Sequence, residues 1–234
     1  MKFQTNWLEV TYEANFREPS FEFANDPKDV LSALFKSIAP RYNMNFSDLH
    51  VEQTDSLKDS LARATLFNGY ASIEVRPTGF KTKFDNPIAA GDLDTVKDCI
   101  QLTIEAILGA ISNVMLNVQT INISAFLELV EEPNTSGAYL RSFPSQTSDR
   151  FARDLPSGTE FFPGIKTEWL NVEQQWAFSF NISRSIRSSK ELFVVGSGNY
   201  EYAGRYNAFS DQAAHFENLL RRCMANIGLE AEKK

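Results

Sequence analysis

Histidine and cysteine are nearly absent, with two of each in 234 residues. Cys99 and Cys223 lie far apart, without CxxC spacing and among apolar residues at helical intervals. That excludes a disulfide framework or a zinc site and leaves two reduced core thiols. No uninterrupted apolar run approaches the ~18 residues of a membrane span. Met1 to Asn6 has neither the apolar core nor the cleavage pattern of a secretion signal. Basic residues are in deficit, 23 against 30 acidic, for a net charge of −7 and a pI near 5.0. A general nucleic-acid binder, which needs a basic face to release counterions, is thereby disfavoured. Walker, HExxH and GxSxG patterns are missing too. We therefore expect a soluble, acidic, cytoplasmic protein with no cofactor, no metal and no recognisable catalytic residue.

What the chain does have is phenylalanine, 19 residues of it, much of it in two-residue alternation. Between Asn171 and Ser183, Val172, Gln174, Trp176, Phe178, Phe180 and Ile182 fall on one side and polar residues on the other. Such a period means a sheet with one buried and one wet face. Leu8, Val10, Tyr12, Ala14 and Phe16 repeat the pattern, as do Ile121, Ile123, Ala125, Leu127 and Leu129.

Helices alternate with these strands. Asn25-Asp26-Pro27 starts one, Val30, Leu31, Leu34, Phe35 and Ile38 make its stripe, and Pro40 is expected to stop it. Residues 61–84 predict a three-stranded meander turned at Asn68-Gly69 and Pro77-Thr78-Gly79. Gly91 or Asp92 opens the longest helix, expected to run to about Met115 with Val96, Ile100, Ile104, Ile107 and Ile111 inward. After a strand over 191–202, Ser210 is expected to cap a last helix that Gly228 ends. The whole predicts one α+β domain over 1–234: a mainly antiparallel, twisted sheet of about seven or eight strands packed by three main helices. The element order suggests a decayed β-α-β-β-β-α tandem repeat with halves 1–116 and 117–234. A long irregular insert, 131–170, stands where the first half has its helix; Thr147 or Ser148 is a candidate cap for one short helix there.

Few constellations carry chemistry. Asp94, Asp98 and Glu105 share one side of the central helix and could suit a hard cation, but a solvated helix face explains them as well. His215 lies beside Asp211 and Glu217 at an apolar border, and His50 has no partner spacing. Gly196-Ser197-Gly198-Asn199 does not lead into a helix as a phosphate cradle would, so a bulge or bend is expected. Arg184, Arg187 and Lys190, interleaved with serines, form a small basic hairpin tip that could hold an anionic group or be simply solvated.

The insert 131–170 is the best functional candidate, because long unstructured connections are functional or disordered and a disordered one would be poor in aromatics. Tyr139, Arg141, Phe143, Phe151 and Arg153, with Arg184 and Arg187 at the hairpin tip, are the expected partner-binding residues, being of the types that dominate interface hot spots. We expect first a non-enzymatic binding or adaptor protein that holds a protein partner, or a second copy of itself, through a sheet edge and this segment. The alternative is a carrier of an apolar small molecule in a cavity between sheet and helix, lined by Phe178, Phe180, Phe193 and Tyr200. An enzyme using Asp94, Asp98 or His215 is the third.

Overall fold

β1 (Lys2–Phe16) fixes the two faces of the molecule in the computed structural model, which describes residues 1–52, 56, 59–87, 92–130, 135–143 and 164–231. Val10, Tyr12, Ala14 and Phe16 are buried on one side, and Glu9, Glu13 and Asn15 alternate on the other. α1 (Phe21–Asn25) and α2 (Pro27–Tyr42) follow. Asp26 caps α2, its carboxylate accepting from the Lys28 N–H with Pro27 in the first turn. Pro40 does not stop this helix. Its last turn continues to Tyr42 because Arg41 and the Tyr42 hydroxyl both bind Asp98 on a neighbouring helix, at 2.7 and 2.5 Å. The chain leaves at Asn43 in the left-handed region, φ 49°.

β2 (Leu49–Glu52), β3 (Leu61–Leu66), β4 (Ala71–Arg76) and β5 (Gly79–Asp85) extend the sheet, and the expected meander is present. α3 (Leu93–Ala110) is capped by Asp92. It ends five residues before Met115, because Glu22 captures the Ser112 N–H at 2.9 Å and Asn113 turns left-handed, φ 59°.

β6 (Leu116–Leu129) and the short α4 (Ser136–Arg141) follow. β7 (Ile165–Asn171), β8 (Trp176–Arg184) and β9 (Glu191–Glu201) then run antiparallel to one another, before α5 (Phe209–Asn226) and β10 (Glu230–Ala231). The expected single strand over 171–183 is thus a hairpin. The Asn171 side chain accepts from the Gln174 N–H at 2.9 Å and Gln175 adopts φ 55°, so the chain reverses while the alternation runs on across the turn. Likewise 131–170 is not one irregular insert. Thr135 caps α4 and β7 begins at Ile165; Thr147 and Ser148 lie outside the described residues. Ser210 is the second residue of α5, whose N-cap is Ala208.

The ten described strands form one sheet in the order β2-β3-β4-β5-β1-β6-β9-β8-β7, with β10 pairing parallel to the start of β1. Outward from the central β1/β6 pair come β5 on one side and β9 on the other. The described helices pack on the face of Tyr12, giving an α+β fold with one continuous core. Phe209 packs edge-on to Tyr12 at 5.1 Å, and Phe216 to Phe178 at 5.6 Å. Gly196 and Gly198 show neither bulge nor bend, since their pairing with β6 and β8 is unbroken. They are glycines because α5 sits on them: a Cβ on Gly198 would stand 2.8 Å from the Phe216 ring.

Candidate binding groove and the residues around it

The extra residue in β1 creates the most distinctive surface. Register with β6 shifts between Thr5 and Trp7, so Asn6 is a bulge. Its side-chain amide donates to both Glu128 and Glu191, each at 3.0 Å. The bulge reverses the alternation: Phe3, Thr5 and Leu8 all turn toward the helices, while Trp7 turns to the opposite face.

α3 and α5 lie antiparallel over the central strands and meet at an ion pair, Lys97 to Glu217 at 2.5 Å. On one side of that pair the described helices leave part of the sheet open. The result is a groove of about 940 Å³ floored by Phe3, Leu8, Ile123, Ala125 and Leu127, with Leu220 and Met224 of α5 along a wall. Leu8 and Ile123 are half-buried, whereas their neighbours on the same face, Val10, Tyr12 and Ile121, are buried. Asp92, Asp94, Glu217 and Glu230 line the rim against Lys97 and Arg221, and Lys97 is already engaged by Glu217 and Asp94. The Asp92 carboxyl is held below the usual carboxylate range by the Thr95 N–H it accepts, and Glu217 beside it raises the Lys97 ammonium. The rim is therefore net acidic.

The opposite face carries a row of aromatics. Trp7, Phe126 and Phe193 stand side by side on β1, β6 and β9, with ring centroids 5.4 and 5.0 Å apart. The Arg187 guanidinium lies 4.4 Å over the Phe126 ring. Among the described members of the expected partner-binding set, Arg187 alone is placed on this face's aromatic row. Tyr139 is buried: its hydroxyl donates to the Ile227 carbonyl at 2.6 Å, burial pushes its pKa up to about 12, and Phe143 packs on its ring edge. Arg141 is exposed, its Nε donating to the Gly137 carbonyl, and Arg184 is half-buried at the end of β8. Phe151 and Arg153 lie outside the described residues. The described members of the set do not share one patch.

The other singled-out residues are also separated. Arg41, by its hydrogen bonds, and then Tyr42 hold the Asp98 carboxyl below its ordinary range; Asp94 pairs with Lys97, and Glu105 accepts from Gln101. Among the described residues no three His, Cys, Asp or Glu side chains stand close enough to share a metal. His50 faces Glu52 at 3.3 Å. His215 is caged by aromatics, stacked on Tyr206 at 4.1 Å, against Trp176 at 4.7 Å, with the Tyr200 hydroxyl 3.3 Å from Nδ1. Burial, then Arg205, lowers its pKa. Cys99 is sealed in the core, its thiol raised to about 12 by burial and then by Asp98. Phe178, Phe180 and Tyr200 are buried in the core, and Phe193 is on the other face.

The groove residues Phe3, Thr5 and Leu8 escaped the sequence reading, which began the first strand at Leu8. The adjacent bulky pair Trp7-Leu8 was the available signal, since one strand face cannot hold both.

No family model matches the chain, and no curated protein matches it. Among solved structures, Methanococcus jannaschii TBP is similar over 97% of this chain and 98% of its own, at 12% identity and a TM-score of 0.33. At that score the likeness bears on neither fold nor function. No described helix is long and apolar enough to cross a membrane.

Proposed function

We propose that this is a non-enzymatic binding protein that takes a basic amphipathic helix of a protein partner into the groove between α3 and α5. The observation that carries it is the partly open stretch of helix-facing sheet, where Leu8 and Ile123 stay half-buried in an apolar trough of about 940 Å³. An apolar floor with polar edges suits the one-sided apolar stripe of a helix. The acidic rim and the net charge of −7 favour a cationic partner over a second copy, which would bring like charges together. The sheet edges at β2 and β7, and Arg141, Arg184 and Arg187, stay outside this groove.

A fluorescein-labelled leucine–lysine peptide of ~14 residues, about four helical turns, is the probe. Fluorescence anisotropy should show binding that weakens as salt is raised and falls about tenfold or more for Ala225→Trp, which narrows the groove. A leucine–glutamate peptide of the same pattern should not bind. Equal binding of both peptides, or no loss in Ala225→Trp, rejects the groove as the site. A mass that doubles without any peptide would make a second copy its occupant.

A further inference from the structure

On the far side of the Lys97–Glu217 pair, α3 and α5 enclose a second, smaller cleft of about 520 Å³. Ile104 and Leu108 of α3, Phe209 and Ala213 of α5, and Leu116 of β6 make it largely apolar. Gln119 lines its floor, and the side chain is 1% exposed. Its Oε1 accepts from the Tyr12 hydroxyl at 2.6 Å, but its Nε2 has no acceptor among the described residues. A buried N–H left without an acceptor is costly, and native proteins rarely keep one unless something else satisfies it.

The charges along the cleft are already occupied. Lys97 is paired with Glu217, and Asp98 accepts from both Arg41 and Tyr42. An anion would find no uncommitted cation here and would face two carboxylates. A cation would have to compete with Arg41 and Lys97. A neutral molecule meets neither obstacle, and an oxygen acceptor on it would complete the hydrogen bonding of Gln119. The volume is in the range of ordinary ligand sites, ~300–1,000 Å³.

We infer that this cleft binds a small, neutral, apolar molecule whose carbonyl oxygen accepts from Gln119 Nε2. It is a site separate from the groove, and either can fail without the other.

Two probes of nearly the same flat shape test it, 9-fluorenone and fluorene, which differ in the carbonyl. Isothermal titration of the intact chain should show fluorenone binding about tenfold more tightly than fluorene, the margin expected for one satisfied buried donor. Ala214→Trp, at an exposed position on the cleft wall, should abolish binding of both. Ala225→Trp, in the neighbouring groove, should leave both unchanged. Gln119→Leu should level the preference; if the loss of an acceptor for Tyr12 prevents that variant from folding, the probe pair with Ala214→Trp still decides. Equal affinity for the two probes in the wild type, or fluorenone binding that survives Ala214→Trp, overturns the inference.

Discussion

Gly198→Ala should destabilise the protein although it adds a single methyl group in a regular strand. The built Cβ stands 2.8 Å from Phe216 Cδ2 and 3.1 Å from both the ring and the hydroxyl of Tyr200. Neither ring can retreat easily: Phe216 is wedged against Phe178 at 5.6 Å, and Tyr200 is 1% exposed. Overpacking of this kind costs ~1–3 kcal/mol, while restricting the unfolded chain returns ~0.4–1 kcal/mol. The net loss is about 1–2 kcal/mol, or a fall in Tm of roughly 3–6 °C for a chain of this size. Gly196→Ala is the internal control, because its nearest contacts are 3.2–3.4 Å and involve the ends of Ile123, Leu220 and Phe216. It should lie within about 1 kcal/mol of wild type, the steric and entropic effects being comparable. Urea unfolding followed by circular dichroism measures all three proteins, and Phe216→Leu should reduce the cost of Gly198→Ala in a double-mutant cycle. A Gly198→Ala protein as stable as wild type, or Gly196→Ala worse than it, would refute the close seating of α5 on the sheet.

Tyr12→Phe removes the 2.6 Å bond to buried Gln119 and should cost about 1–2 kcal/mol in the same assay. Arg187→Ala should cost no more than ~0.5–1 kcal/mol, and a double-mutant cycle with Phe126→Leu should place that coupling on the ring it covers; zero coupling would mean the contact is incidental. Burial lowers the His215 pKa, so the unfolded chain binds the extra proton first. Its contribution to stability is full above the unfolded value of about 6.5 and is lost as the pH falls through the folded value. Wild type should therefore lose stability more steeply than His215→Asn as the pH falls below that value; parallel curves would sink the assignment.

Alternation and capping residues carried most of the fold in readable form. The apolar stripe from Val96 to Ile107, the caps at Asp26 and Asp92, and the Asn68-Gly69 turn each depend on contacts within a few residues, and those are visible in sequence. What escaped was long-range. Pro40 stays helical because Asp98, on another helix, holds Arg41 and Tyr42. α3 stops early because Glu22 takes the Ser112 N–H. The turn at Asn171–Gln175 keeps the alternation of its flanking strands, so periodicity ran through it unmarked. The candidate groove was hidden for the same reason: it is a gap between two helices, and no segment alone encodes a gap. Arg187 was noticed for its charge, whereas its contact, Phe126, lies some sixty positions away in the chain.

The most direct test of the groove is a methyl NMR titration of the intact protein with the leucine–lysine peptide. Shifts confined to Leu8, Ile123, Val194 and Leu220 are the predicted result. Shifts gathered instead beside Trp7, Phe126 and Phe193, or around Leu108 and Leu116, would contradict it.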